Sequence, residues 1–420
     1  MTPSPTLRRR LGLADAVAIG LGSMLGAGIF AALAPAAQAA GAALLGGLVI
    51  AGVIAWCNAT SSAQLAAQYP ESGGTYVYGR RELGEWPGFI AGWCFVVGKT
   101  ASCAAMALTV AAYAVPDAWA KQAAILAVVA ITLVNCLGVS RTATATKVIV
   151  VAVIAVLAVV VVAGVAVGGS GLSALGASAV TPYEVLQSAG ILFFAFAGYA
   201  RIATMGEEVR HPERTIPRAI VIALALAVMI YAAVAVTALA TIGPEALANS
   251  AAPLAEVAGA GGWAWTAPVV RVGAALASLG ALLALMAGIT RTALAMARGG
   301  DLPKVLGRIH GRARVPRVAA IVLGCVVAVL VTVVDVRAAI GVSSFGVLLY
   351  YLVANLSALH QSREHRRYAR AIQVVGALGC AALAATLPWG AILGACAVVA
   401  VGVAYRAVRR ARASRAAAPQ

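Results

Sequence analysis

The sequence predicts an all-α membrane protein with about twelve transmembrane helices. Of its 420 residues, 62% are hydrophobic and only 11% are charged, and the mean hydropathy is +0.94. Soluble domains carry about 25% charged residues. Apolar segments recur from one end of the chain to the other, and basic residues are concentrated in alternate connections between them. These three observations exclude an ordinary soluble domain and indicate a chain folded within a lipid bilayer.

Twelve apolar segments are each long enough for a transmembrane helix, which needs about 20 residues to cross a bilayer. We interpret the whole chain, residues 1–420, as a single transmembrane domain. The predicted spans are residues 13–37, 42–66, 87–113, 120–138, 145–167, 184–208, 217–242, 267–297, 316–335, 338–360, 370–387 and 389–406.

The formal net charge of +17 is compatible with a nucleic-acid partner, but the distribution of the basic residues argues against one. On one side of the predicted membrane, the connections hold little beyond Lys121 and Arg337. This is the positive-inside asymmetry, and it predicts a multi-pass protein of the cell membrane with both termini in the cytoplasm. The basic clusters of the other side lie at residues 8–10, 80–81, 141–147, 210–218, 298–317, 363–370 and 406–415.

The first predicted span contains a cluster of glycines, Gly20, Gly22, Gly26 and Gly28. Each glycine in a helix interior costs about 1 kcal/mol relative to alanine, so the cluster predicts a break in the helix. Non-helical backbone at membrane depth is tolerated where it is buried in protein or lines a cavity. Broken helices of this kind form the substrate sites of secondary transporters.

A second interruption is predicted at Gly198, within the sixth span. The first span starts inside and the sixth starts outside, so the two interruptions occupy corresponding places in two units of opposite orientation. Interruptions at matching positions of two halves indicate a transporter binding site. We therefore predict an inverted repeat of five plus five helices, residues 13–167 and 184–360, with two accessory helices over residues 370–406.

Four sequence motifs resemble those of the amino acid–polyamine–organocation (APC) superfamily of transporters. They are Gly-Ser-Met-Leu-Gly-Ala-Gly-Ile-Phe at 22–30, Pro-Glu-Ser-Gly-Gly-Thr-Tyr-Val-Tyr at 70–78, the segments 193–199 and 206–217, and Arg291 with residues 296–303. They occur in family order along the chain. The resemblance implies a LeuT-like fold with broken helices 1 and 6. It also implies an amino acid permease that works by alternating access.

The chemistry of the two breaks suggests how an amino acid would bind. A half-helix starting near Ala27 presents free N–H groups that favour an anion, so we expect the α-carboxylate to bind there. Backbone carbonyls at the breaks would accept from the α-ammonium group, and two phenylalanines would form walls. Alternatively, the glycines only allow close helix packing. The candidate residues are Ile19, Gly22, Ser23, Met24, Gly26, Ala27, Gly28, Phe194, Ala195, Phe196, Ala197 and Gly198.

Two basic residues, Lys99 and Arg201, are predicted at membrane depth, where ionisable groups are functional candidates. Burial disfavours the charged form of a lysine, so Lys99 could carry a proton during transport. It could instead meet a substrate carboxylate, or be a snorkelling or carbonyl-bonded structural lysine. For Arg201 we expect pairing with Glu207 or Glu208, or else contact with substrate.

The coupling ion and the substrate class are suggested by departures from the family pattern. Residues 279–289 contain no serine or threonine, which argues against a sodium site built from eighth-helix hydroxyls. The fifth-helix lysine of some relatives is replaced by the valine-alanine run near Val151. Ala200 stands where many relatives carry an acid. We therefore predict proton coupling and a neutral or acidic amino acid. An uncoupled exchanger or a cationic amino acid carrier remains the alternative.

Enzyme and metal-site readings find no support in the sequence. The four histidines lie in or beside predicted cytoplasmic connections without zinc-binding spacing, and no nucleophile elbow occurs. The seven cysteines fall within apolar segments without metal-ligand spacing. We expect no catalytic residues, no metal and no cofactor. A channel would need a continuous polar stripe or ring of charges, which the alanine- and valine-rich spans lack.

Overall fold

The computed structural model describes residues 11–71, 73–138, 143–167, 180–203, 205, 208–309 and 315–417. Over these residues the chain is helical and forms no strand, apart from an isolated bridge between Leu11 and Val209. The helices up to residue 166 are α1 (Leu13–Met24), α2 (Ala27–Ala40), α3 (Leu44–Gln68), α4 (Thr75–Glu82), α5 (Glu85–Ala114), α6 (Ala120–Cys136) and α7 (Ala143–Ala166). Those that follow are α8 (Pro182–Phe196), α9 (Ala200–Ala203), α10 (Pro212–Asn249), α11 (Pro253–Ala260), α12 (Thr266–Arg298), α13 (Arg317–Val333), α14 (Val336–His360), α15 (Arg370–Ala385) and α16 (Trp389–Ala417). Short 3-10 turns occur at Gly41–Ala43, Asp117–Trp119, Ala197–Tyr199 and Lys304–Gly307.

Nine stretches of the described chain are long and apolar enough to cross a membrane. The first, Leu13–Gln68, contains α1, α2 and α3 together. Two further apolar helices, α13 and α15, have 17 and 16 residues. The chain is therefore a helical, multi-pass membrane protein, as the sequence predicted.

Several predicted boundaries differ from the helices of the structure. The sixth span, predicted to reach residue 208, ends as helix at Ala203. Further along, the backbone at residues 208–210 pairs with the N-terminal segment. Leu11 N–H donates to the Glu208 carbonyl at 3.1 Å, and Arg210 N–H donates to the Leu11 carbonyl at 2.9 Å. The twelfth span, predicted to end at residue 406, continues as helix to Ala417. The predicted end of the seventh span at residue 242 agrees with a kink in α10 at the non-helical Gly243, whose φ is 77°.

Helices α5 and α14 are packed backbone to backbone through glycine. A Cβ added at Gly98 would lie 3.0 Å from the Ser343 carbonyl oxygen, and one at Gly346 would lie 2.7 Å from the Cys94 carbonyl oxygen. Beside this contact the hydroxyls of Ser102 and Ser343 are 2.6 Å apart. Small residues and hydroxyl pairs are how membrane helices associate closely. This contact fixes the position of α5, the helix that carries Lys99.

A layer of buried polar side chains joins α3, α14 and α15. Asn355 accepts from the Ser61 hydroxyl at 2.7 Å, and its amide donates to Asn58 at 2.6 Å. The Cys380 thiol donates to the same Asn58 oxygen at 3.3 Å, and Gln64 donates to the Ala358 carbonyl. Since lipid offers no alternative partners, these bonds hold the three helices in register.

We expect Asn355→Ala to lower the free energy of unfolding by about 1–3 kcal/mol, because it leaves Asn58 and Ser61 buried with fewer partners. The measurement is thermal unfolding of the purified protein in detergent. Asn249→Ala is the matched control, since Asn249 is exposed and bonds only the Glu245 carbonyl of its own helix. Equal unfolding temperatures for the two variants would contradict this role of the polar layer.

Candidate functional site

A cavity of about 910 Å³ extends from the two helix breaks towards arginines of the predicted cytoplasmic connections. It lies among α1, α2, α5, α7, the α8–α9 segment and α12, and α4 borders it as well. Of the residues predicted for the site, those that line it are Ile19, Gly22, Ser23, Met24, Gly28, Lys99, Phe194, Ala195, Ala197, Gly198, Arg201 and Glu208. The structure therefore brings together most of the candidate set around one space.

The break in the first span falls between α1 and α2. Helix α1 ends at Met24, and α2 begins at Ala27 after Gly26, whose backbone (φ −63°, ψ −126°) is not helical. Gly26 is the N-cap of α2 and has no side chain to accept from the first-turn amides. These N–H groups are unsatisfied by the helix itself. They make the start of α2 suited to an anion.

The break in the sixth span is milder, because the chain continues from α8 through the 3-10 turn Ala197–Tyr199 into α9. Gly198 packs directly on the Ser23 carbonyl group, which a Cβ would overlap. Likewise, a Cβ at Gly28 would lie 2.7 Å from Ala195 Cα. Glycine is required at both positions because the backbones of the two breaks touch there. The close packing of the two breaks therefore also forms part of the cavity wall.

The two breaks share one side-chain donor, the hydroxyl of Tyr231 on α10. This oxygen lies 2.6 Å from the Met24 carbonyl oxygen and 3.0 Å from the Ala195 carbonyl oxygen. The ring is fully buried and packs against Phe196, with 5.1 Å between ring centroids. The single hydroxyl hydrogen of Tyr231 is thus shared between carbonyl oxygens near the C-terminal ends of α1 and α8.

Lys99 reaches the second break from α5. Its ammonium nitrogen donates to the Ala197 carbonyl at 3.2 Å, and the residue is only 6% exposed. It is therefore a carbonyl-bonded lysine facing the cavity rather than a snorkelling one. Phe95, Ser102 and Met106 also line the cavity. With Lys99 they follow the three- and four-residue spacing of one helix face.

The cavity also contacts the predicted pair Arg201 and Glu208. Both line it, together with Arg291 of α12. A Glu208 oxygen is 3.6 Å from the Arg291 guanidinium, and Arg201 lies within electrostatic range of both charges. Glu207, the other predicted partner of Arg201, lies outside the described residues. The pairing of Glu208 with Arg291 was not foreseen, since it joins segments 83 residues apart in the sequence.

Not every predicted residue faces the cavity. Phe196, expected as an aromatic wall, is fully buried against Tyr231 behind the break, whereas Phe194 lines the space. Gly26 packs against Ala281 of α12. Phe194 and Phe196 are two residues apart within α8, and side chains at that spacing point to different faces of an α-helix, so both cannot face the cavity.

At its mouth the cavity is bordered by an ionic group around Tyr76. The Tyr76 hydroxyl donates to Asp301 at 2.9 Å, and Arg80 contacts the same carboxylate at 2.8 Å. Burial and the neighbouring Asp301 raise the pKa of Tyr76 to about 12. This tyrosine therefore remains a hydrogen-bond donor at neutral pH. The described residues that line the cavity include one acidic residue, Glu208, and six basic residues, namely Arg80, Arg81, Lys99, Arg201, Arg291 and Arg298.

Sequence reasoning missed Tyr231, Tyr76 and Met106. Tyr231 is the only tyrosine of its predicted span. The hydroxyl group of a tyrosine in an apolar helix usually makes a buried hydrogen bond. Met106 was findable by following the helical face of Lys99 for two turns. Within the described residues, no three His, Cys, Asp or Glu side chains are grouped to hold a metal ion.

Comparisons with known proteins show which proteins this chain resembles in sequence. A sequence model described as "amino acid permease" matches residues 11–413. A Mycobacterium tuberculosis protein named as an uncharacterized transporter is 56% identical over 415 residues, covering 96% of this chain and 92% of that protein. The branched-chain amino acid permease BcaP of Bacillus subtilis is 25% identical, covering 88% and 84%. The vacuolar cationic amino acid transporter 4 of Arabidopsis thaliana is 27% identical, covering 84% and 63%.

We expect Tyr231→Phe to weaken amino acid binding by about tenfold or more, because loss of a buried donor to two carbonyls costs about 1–3 kcal/mol. The measurement is equilibrium binding of labelled amino acids to the purified protein. Tyr183→Phe at the exposed start of α8 is the matched control. Unchanged affinity in Tyr231→Phe would show that the hydroxyl does not hold the breaks in a binding geometry.

Proposed function

This chain belongs to the amino acid permease family, whose members are transporters rather than enzymes, and we propose that it is a secondary active amino acid transporter working by alternating access. The observation that carries the proposal is the single cavity bordered by both helix breaks, with Lys99 bonded to the second break. The cavity joins substrate-sized space at the breaks to the basic end of the molecule. We infer that the described state is open to the cytoplasm.

The proposed architecture is the inverted five-plus-five repeat with twelve spans. The first unit would comprise residues 13–167 and the second residues 184–360, with α15 and α16 as accessory helices. The position of a break in the first helix of each unit supports this division. The predicted orientation puts both termini in the cytoplasm and the protein in the cell membrane, because the basic connections lie on that side.

We propose that the substrate binds with its α-carboxylate at the start of α2. The amides of Gly26, Ala27 and Gly28 have no capping side chain, and Gly28 lines the cavity. The α-ammonium group would be accepted by carbonyls near Ile19 and Ala195. Phe194 supplies an apolar wall beside them. Opposite ends of the two broken helices would thus bind opposite charges of one zwitterion.

The charge of the cavity supports a neutral or acidic amino acid as substrate. Its described lining carries six basic side chains against one acidic side chain. A cleft lined by one sign of charge concentrates ions of the opposite sign and repels like charges. Some of these arginines are paired, as Arg80 is with Asp301, Arg81 with Glu71 and Arg291 with Glu208, and Lys99 is the basic residue bonded to the second break. A cationic substrate, as named for the Arabidopsis relative, is the alternative.

Proton coupling is proposed to run through Lys99. In its charged form the ammonium makes a charge-assisted hydrogen bond to the Ala197 carbonyl, and such bonds are about twice as strong as neutral ones. Loss of the proton would weaken the contact and release the 3-10 turn of the second break. Protonation of one side chain would then bias the geometry of the binding site. An exchanger that moves no proton is the alternative.

We expect an inward proton gradient to stimulate amino acid uptake into proteoliposomes, and Lys99→Ala to abolish this stimulation while substrate exchange persists. Lys121→Ala is the matched control, since Lys121 also donates to a backbone carbonyl, that of Thr332, but is exposed. Uptake that ignores the gradient in all three proteins would leave an exchanger or facilitator. Stimulation retained in Lys99→Ala would remove this residue from the coupling step.

We expect neutral and acidic amino acids to compete for uptake at least about tenfold better than arginine or lysine, since 1.4 kcal/mol of electrostatic discrimination is sufficient. The measurement is inhibition of labelled uptake by an unlabelled panel at low and high salt. Discrimination against cations should shrink at high salt because exposed charges are screened. Preferred inhibition by arginine or lysine would establish the cationic alternative.

A further inference from the structure

A second, smaller cavity of about 280 Å³ lies where the C-terminal part of α16 meets the α4–α5 connection and the end of α12. It is separate from the helix breaks, although Arg80 and Gly299 line both cavities. Its charged lining consists of four arginines and two carboxylates, namely Arg80, Arg406, Arg409, Arg410, Glu85 and Asp301. We call this group the C-terminal arginine cluster.

Arg406 is the fixed centre of the cluster. Its side chain is only 4% exposed, and its guanidinium lies over the rings of Phe89 and Trp86, 4.6 and 5.0 Å from their centroids. One terminal nitrogen is 3.2 Å from Asp301, and the other is 3.7 Å from Glu85. Its Nε has no hydrogen-bond partner within the described chain. Arg406 thus lines this cavity with a buried guanidinium group that has an unused donor, and unsatisfied buried donors are costly.

The two carboxylates are shared among the arginines and do not neutralise them. Asp301 contacts both Arg80 and Arg406. Glu85 contacts Arg80, Arg406 and Arg410, while Arg409 donates to the Leu302 carbonyl at 2.7 Å. Four guanidinium groups against two carboxylates leave a formal surplus of two positive charges in the lining.

We propose that the C-terminal arginine cluster binds a phosphate-bearing anion, either an acidic lipid headgroup or free phosphate. A phosphodiester or phosphate carries one to two negative charges, which match the surplus. Its oxygens accept from planar guanidinium forks, the geometry for which arginine is suited. Rings hold Arg406 in place, so little side-chain freedom is lost on binding.

The location of the cluster suits a ligand at the membrane surface. Residues Trp389–Ala411 form a stretch long and apolar enough to cross the bilayer, and the arginines occupy its last turns. Basic residues directly beyond a membrane span attract acidic headgroups. Because Arg80 and Gly299 also line the central cavity, a bound anion would sit against its mouth. The site would thus connect the surrounding lipid with access to the transport pathway.

The test is thermal unfolding of the full-length protein in detergent during titration with three probes. They are inorganic phosphate, short-chain phosphatidylglycerol and the phosphatidylcholine of the same chain length, at ionic strength held constant with chloride. The variant is Arg409→Gln with Arg410→Gln. The matched control, Arg363→Gln with Arg370→Gln, removes two exposed arginines outside the cluster. Unfolding without any probe reports separately whether each variant folds.

We expect phosphatidylglycerol, phosphate or both to raise the unfolding midpoint of the wild type, and phosphatidylcholine to leave it unchanged. The concentration needed for half the effect should rise at least about tenfold in the cluster variant and stay unchanged in the control. A response to phosphatidylglycerol alone identifies the lipid headgroup, and a response to phosphate as well identifies the shared phosphate chemistry. No response in the wild type, equal loss in the control, or full retention in the cluster variant would each overturn the proposal. Transport is not measured, so this result is independent of the proposed function.

Discussion

The need to satisfy backbone carbonyls at two helix breaks governs the centre of this molecule. A break within the bilayer exposes polar backbone groups that lipid cannot satisfy. Here Tyr231 serves the Met24 and Ala195 carbonyls, and Lys99 serves the Ala197 carbonyl. Two side chains from two further helices thus make the breaks tolerable. The same arrangement leaves the amides at the start of α2 without a side-chain cap, and these are the amides to which we propose that the substrate carboxylate binds.

Contacts at both ends bind the two broken helices to each other. At membrane depth, the Gly198 backbone rests on Ser23 and the Gly28 backbone on Ala195. Towards the predicted cytoplasmic end, Leu11 pairs with the backbone of Glu208 and Arg210. Two helices that are joined at two places move together more readily than separately. Transporters that work by alternating access commonly move such rigid units. The contacts therefore favour joint motion of α1 and the α8–α9 segment against α5.

The parts of the site that depend on local chemistry could be predicted from the sequence. Glycine clustering predicted the break before Ala27, and the spacing of spans predicted that Lys99 lies at depth. Tyr231 was missed because its partners Met24 and Ala195 are 207 and 36 residues away, and no local pattern encodes that pairing. Phe196 was expected to face the substrate together with Phe194, but residues two apart lie on different faces of an α-helix, and Phe196 packs on Tyr231 instead. The long-range partners were the information that only the folded chain supplied.

The basic residues of this chain take part in more than membrane orientation. Arg80 belongs to a connection that the positive-inside pattern assigns to the cytoplasm, yet it lines both the central cavity and the C-terminal arginine cluster. Asp301 holds Arg80 in place, because its carboxylate contacts Arg80, Arg406 and Tyr76. Positive charge on a predicted cytoplasmic connection is thereby held in fixed geometry beside the central cavity. A field of this sign attracts anions and disfavours cations, so the charge from which the orientation is predicted also bears on what can enter the cavity.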